Sequence, residues 1–285
     1  MEREMNLLFN ALFIGYCLAG VLYLSFIFNQ NEALTKFGKA VLMVTFALHT
    51  VFLIFRIKAD HDFVGYWYAP VANIFEHVAS FSWGLTLVYL ISETRTGFRA
   101  LGIMVIPLIV LLVGWAAFGL DHAVVPPPPA LQSYWINIHV PMSLGAYGAF
   151  TIAFGLAIFY FMKNKEESKG TPSKGFLSLV PSTEVLDRMM YRTVIVGFGF
   201  LTALIMLGAV WAEESWGKYW SWDPKETAAL ITWLVYAVYL HGRFTWGSRK
   251  RTTMAVLCVV GFLAVIFTYL GVGFLLPGLH SYLKG

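Results

Sequence analysis

Eight apolar runs of about 20 residues, the length that crosses a bilayer's hydrocarbon core, dominate this 285-residue chain, near 6–28, 37–56, 70–92, 99–119, 135–162, 191–212, 226–245 and 253–276. Inside that core every backbone N–H and C=O must find its partner within the protein, and a helix does this within its own segment. The expected fold is therefore all-α: a polytopic membrane helix bundle of about eight transmembrane helices. Residues 1–285 then form a single integral membrane domain. The composition agrees, with 58% hydrophobic and 13% charged residues and a mean hydropathy of +0.68. The first run is too long for a signal-peptide core and has no small-residue cleavage site after it, so it is expected to remain as the first helix. An even number of spans puts both termini on one side.

The basic residues say which side. Connections after odd-numbered spans carry fourteen Lys and Arg (Lys36, Lys39, Arg95, Arg99 and the clusters at 163–192 and 243–251), whereas the opposite side carries six (Arg3, Arg56, Lys58, Lys218, Lys225 and Lys284). By the positive-inside rule both termini lie on the outer, periplasmic side. The net charge of +4 thus follows membrane topology, and no nucleic-acid partner is expected. Cys17 and Cys258 lie in the first and last runs without a C-x-x-C pattern, so they are expected to pack as small apolar residues. The connection 163–191 is read as a linker with a short surface helix at 182–190, and Pro126–Pro129 as an extended strut.

Residues 211–226 are the outer-face feature that composition does not explain. Trp211, Trp216, Trp220 and Trp222 crowd one short connection, where an interfacial belt uses one or two aromatics per helix end. Four indoles make a surface suited to a large planar ligand, read here as a porphyrin platform. Asp223-Pro224-Lys225-Glu226 reads as a capping box opening the seventh span, which would hold the tryptophans in place.

Seven histidines are sorted by position. His139 and His280 fall at outer helix ends beside the tryptophans, either as a bis-imidazole pair for a haem iron or as interfacial helix-end residues. His241, fifteen residues beyond Glu226 and so roughly 22 Å inward, is either a second ligand or a helix-end residue beside Arg243. His49 and His77 lie at membrane depth, where ionisable groups are functional suspects. Glu76 precedes His77 and could draw it into a buried polar network. His61 and His122, beside Asp60, Asp62 and Asp121, are read as solvated loop residues.

The segment Trp216-Gly-x-x-Trp-x-Trp-Asp-Pro-x-Glu resembles the tryptophan-rich WWD signature of haem-handling proteins. The longer run 216–243 resembles the CcsA (ResC) family of system II cytochrome c biogenesis proteins. Further similarities are His49-Thr and Arg56, Pro70-x-x-Asn73-x-x-Glu76, Pro129 to Ser133 with Trp135 and His139, and Gly278-Leu-His280-Ser-Tyr. The resemblance implies haem b as the substrate, held by His139 and His280 at an outer site, presented by 216–223, and ligated by His241 within the membrane. It also implies a separate CcsB (ResB)-type membrane subunit, apocytochrome c as acceptor, a thiol-reducing partner, and a place in the bacterial inner membrane or its equivalent. The chain would then be a subunit of a cytochrome c synthase. Lys218, Lys225 and Arg56 are either partners for the haem propionates or ordinary interfacial cations. His77 departs from the family pattern, in which a small residue more often follows the Glu. The alternatives are a CcmC-like haem exporter, for which the His139, His241 and His280 set is too full, and a HemX-like regulator of tetrapyrrole synthesis, which would not need the whole signature.

Overall fold

The computed structural model of the chain describes residues 2–170, 173 and 175–280, and among these no strand occurs. The main helices are α1 (Glu2–Asn29), α2 (Glu32–Val64), α3 (Ile74–Thr96), α4 (Gly102–Gly119), α5 (Ile136–Glu167), α6 (Thr183–Trp216), α7 (Pro224–Trp246) and α8 (Arg251–Ile266). A π-helical turn at Phe267–Gly271 continues α8 into a last turn, Val272–Leu275. Seven of these helices are long and apolar enough to cross a membrane, as a polytopic bundle requires. The expected run 226–245 does form a helix, α7, but is not among the seven. Its Trp233, Tyr236, Tyr239, His241 and Arg243 dilute the apolar content.

The chain divides into two compact units, Met1–Asn137 and Ile138–Gly285. In the first, α1 packs on α2 and α4, and α3 on α4 and α2. Its core holds a buried ion network at the C-terminal end of α2. The Arg56 guanidinium donates from Nε and Nη2 to Glu76 Oε1 at 2.9 and 2.7 Å, from Nη1 to the His122 carbonyl at 2.7 Å, and from Nη2 to the Ala123 carbonyl at 2.9 Å. Asp60 lies 3.3 Å from Arg56 Nε and is fully buried. Leaving a buried charge unpaired costs several kcal/mol, roughly 3–5 when one partner is removed, so this network ties α2, α3 and the 120s loop together.

Three sequence expectations change here. Asp60, His61 and Asp62 belong to α2 rather than to a loop, because no helix-breaking residue precedes Gly65, which ends the helix at φ 85°. His61 stacks on Trp67 at 4.0 Å. His122 is held from both ring nitrogens, 2.7 Å from Asn6 Oδ1 and 2.9 Å from the Ala116 carbonyl, with its ring stacked on Phe75 at 4.1 Å. Arg56, whose side chain is 2% exposed, is committed to internal partners rather than standing as an interfacial cation.

In the second unit α7 packs on α6 and α8. The α5 helix joins them through Phe150, stacked on Tyr236 at 3.6 Å and 5°, and Phe154, stacked on Phe262 at 4.4 Å. The expected surface helix at 182–190 is the first part of α6, which runs unbroken from Thr183. Asp187 is buried there and accepts from Arg243 at 2.8 Å, so these turns are packed against α7 rather than lying at the surface. Cys258 is buried and Cys17 half-buried, both as free thiols.

Candidate functional site

The site is built where α6 ends and α7 begins. Trp216 is the last residue of α6, and Gly217 closes that helix at φ 72° with its N–H bonded to the Glu213 carbonyl at 2.8 Å. Glycine takes this left-handed conformation without steric cost. Trp222, five residues on, takes it at φ 60° as a non-glycine residue, a strained state that surrounding contacts must hold.

Those contacts are the expected capping box. Asp223 Oδ1 accepts from the Lys225 N–H at 2.9 Å, and Glu226 Oε2 accepts from the Asp223 and Ser221 N–H groups at 3.1 and 2.9 Å. Asp223 also reaches the C-terminal segment, which sequence reasoning did not foresee. Its Oδ2 accepts from the Leu279 N–H at 2.6 Å and its Oδ1 from His280 Nδ1 at 2.8 Å. Burial by itself raises the Asp223 carboxyl, but the His280 hydrogen bond and charge, with the Lys225 and Leu279 N–H groups, outweigh it and bring it down to about 2. Burial lowers the His280 imidazole below its ordinary value, with the Lys225 ammonium acting in the same direction and the Asp223 carboxylate opposing. A carboxylate can only accept, so Nδ1 carries the proton and Nε2 the ring lone pair.

His139, in the first turn of α5, faces α6. Its ring hydrogen-bonds the Leu204 carbonyl, and its Nδ1 is buried without a hydrogen-bond partner. Gly208 makes room for it, since a Cβ there would come within 2.7 Å of His139 Cε1. The His139 ring stacks on Trp211 at 5.6 Å and 29°. Trp211, 1% exposed, meets Trp216 at 4.9 Å and His280 at 5.4 Å, and Trp216 meets His280 at 5.0 Å. His139, Trp211, Trp216, Asp223 and His280 thus form one cluster, in which each imidazole is oriented through one nitrogen by a carbonyl or a carboxylate. Metal-binding histidines are commonly held in this way, so the donors fit an iron porphyrin.

The indoles do not form the flat surface expected of them. Trp211 and Trp216 meet at 63°, and Trp220 and Trp222 at 90° and 5.7 Å, because edge-to-face contact sets the positive ring edge against the negative face. Trp222 is 68% exposed. Trp220 Nε1 is buried without a hydrogen-bond partner.

The other expected residues lie elsewhere. His241 is exposed on α7, on the same helical face as the exposed Ile231, Leu234 and Val238. In the first unit His49 is fully buried among Phe9 and Phe52, with Nδ1 3.0 Å from the Tyr16 hydroxyl and Nε2 without a hydrogen-bond partner. Glu76 serves the Arg56 network and accepts the Ala72 N–H at 2.7 Å. The His77 N–H donates to the Asn73 carbonyl in the first turn of α3. Gly208 and Gly278 were missed as site residues. A Cβ on Gly278 would collide with Asp223 Oδ2, so only glycine lets the C-terminal segment close on the carboxylate. The sequence signal for it was the position of Gly278 two residues before His280.

Fold and cluster together define a multi-pass helical membrane protein with a histidine and tryptophan site at one helix end, and residues 71–280 match the family model described as "Cytochrome C assembly protein". The cytochrome c biogenesis protein CcsA of Pyropia yezoensis is 36% identical over 323 residues, covering 99% of this chain and 98% of that protein. CcsA of Heterosigma akashiwo is 35% identical, covering 99% and 96%, and that of Synechococcus elongatus 37% identical, covering 75% and 79%. The chain belongs to the CcsA family of cytochrome c assembly proteins and serves cytochrome c biogenesis. Among solved structures, the cytochrome c haem lyase CcmF shares the fold, with a TM-score of 0.69 at 16% identity, over 99% of this chain and 48% of that one.

Proposed function

We propose that this protein brings haem b to the outer face of the membrane and holds it between His139 and His280 for covalent attachment to apocytochrome c. The observation that carries this reading is the packing of both imidazoles on Trp211, with Asp223 and the Leu204 carbonyl each orienting one of them. Nε2 of His280 and Nδ1 of His139 are the ligating atoms, and Trp216, Trp220 and Trp222 present the porphyrin edge. Lys225, which acts electrostatically on His280, and the exposed Lys218 are the cations within reach of the propionates.

The apocytochrome supplies two thiols. Each adds across a haem vinyl group, forming one C–S bond while the thiol hydrogen passes to the other vinyl carbon, so no oxidant is consumed. A thiol-reducing partner keeps the cysteines available, and the protein contributes orientation of haem and thiols. Counting α7 as an eighth span beside the seven long apolar helices, both termini and the 211–226 segment lie on the outer side of a bacterial inner membrane or its equivalent, a reading supported by fourteen basic residues against six. A CcsB-type subunit completes the synthase. It meets the apolar face of α7 that carries His241 and supplies the second ligand for haem entering from the inner side.

The test is an absorption spectrum of the detergent-purified chain. The wild type is expected to carry low-spin bis-histidine haem, and His139→Ala or His280→Ala to lose most of it or turn it high-spin, with added imidazole restoring part. Wild-type haem content and spectrum in both variants would overturn the assignment.

A further inference from the structure

A second feature of the Ile138–Gly285 unit lies where α7 passes into α8. Here Tyr160 and residues 248–253 line an open recess of about 480 Å³. Its chemistry has one sign. Arg249, Lys250 and Arg251 bring three cations, Ser248, Thr252 and Thr253 bring hydroxyls, and Tyr160 lies with its hydroxyl 3.2 Å from Thr252 Oγ1.

The nearby acid does not neutralise this charge. Asp187, the carboxylate paired here, is already shared by Arg243 at 2.8 Å and Arg251 at 3.6 Å. Arg249 and Lys250 have no carboxylate partner among the described residues, whereas Arg188 and Lys169 in the same unit are paired with Glu184 and Glu166. The recess also sits at the N-terminus of the sixteen-residue α8, whose N-cap Lys250 makes no side-chain capping bond. The first-turn N–H groups are therefore uncapped donors at the positive end of the helix dipole. Cations, hydroxyls and N–H groups together suit a phosphate.

What distinguishes a lipid phosphate from a free one is the adjoining surface. From Thr252 and Thr253 an exposed apolar stripe climbs α8 through Val256, Val260 and Leu263, each more than 40% exposed, at the spacing that keeps residues on one helical face. In the last turn of α7, which precedes the recess residues in the chain, Phe244 is 91% and Trp246 43% exposed, as aromatic side chains are at the headgroup level. A free anion has no use for this stripe, while a phospholipid spans both parts. We propose that the recess binds the phosphate headgroup of an anionic phospholipid, whose acyl chains lie along the exposed face of α8. Basic pockets at the ends of membrane helices hold anionic lipids by this combination.

The test uses the full chain in a neutral detergent and follows its thermal unfolding midpoint during titration with phosphatidylglycerol, phosphatidylcholine or inorganic phosphate. Phosphatidylglycerol is expected to raise the midpoint saturably, and the other two to leave it unchanged. Arg249→Gln with Lys250→Gln should shift the half-saturating phosphatidylglycerol concentration upward roughly thirtyfold, as expected for two basic groups at an anionic surface. Arg188→Gln, outside the recess, should titrate like the wild type. If the double variant does not accumulate, Arg249→Gln alone should show a roughly fivefold shift. An equal response to phosphatidylcholine, the same stabilisation by inorganic phosphate, or an unchanged titration in the recess variants would each overturn the proposal.

Discussion

Asp223 joins two tasks that its sequence position shows only in part. The capping box was legible, because Asp-Pro-Lys-Glu before an apolar run is a helix-start signal. The link to His280, 57 residues away, was not, since nothing local in either segment specifies a long-range hydrogen bond. As a cap alone, Asp223→Ala would cost about 0.5–2 kcal/mol of local stability. As the group that fixes the His280 tautomer, it should cost far more in haem binding. Asp223→Ala is expected to reach the membrane at near wild-type abundance and to lose low-spin haem as fully as His280→Ala. Asp223→Asn, which keeps one acceptor oxygen, should fall between. Haem content per purified protein decides this, and full low-spin haem in Asp223→Ala would leave the carboxylate as a helix cap alone.

Among elements, the helices were the most legible part of the chain, because their apolar runs are set by the bilayer. Their ends were the least legible. α2 continues to Val64 and α6 begins at Thr183, since polar turns remain helical when Asp60 or Asp187 is buried against an arginine, a pairing that hydropathy does not register. The tryptophan segment was legible in content but not in geometry, where edge-to-face contacts and a left-handed Trp222 replace the expected flat surface. That residue allows scaffold and side chain to be separated. Trp222→Gly removes the indole but relieves a backbone conformation costing about 1–3 kcal/mol, while Trp222→Ala removes the indole and keeps the strain. Both variants should lose most covalent haem attachment to a reporter cytochrome, with Trp222→Gly at least as abundant in the membrane as the wild type. Full attachment in the glycine variant would show that the indole is dispensable and would remove Trp222 from the site.

For the whole molecule, the division into two units gives the histidines different surroundings. His139 and His280 are joined through Trp211 in the second unit, and His49 is enclosed by aromatic rings in the first. His241 is exposed on the apolar face of α7, where its second-ligand reading requires another chain. If α7 is the proposed eighth span, a histidine on the helix face that also carries Ile231, Leu234 and Val238 costs free energy in lipid unless a partner engages it. The outer and inner assignments therefore predict different dependence on the CcsB-type subunit. With that subunit co-expressed, His241→Ala should lower total haem in the purified complex several-fold, because supply to the outer site is cut. Adding haem to the outer face should bypass that block, restoring the low-spin spectrum in His241→Ala but not in His280→Ala. A His241→Ala complex that retains wild-type haem and full cytochrome c maturation would make His241 a helix-end residue, and the buried His49 would then be the membrane-depth histidine to test.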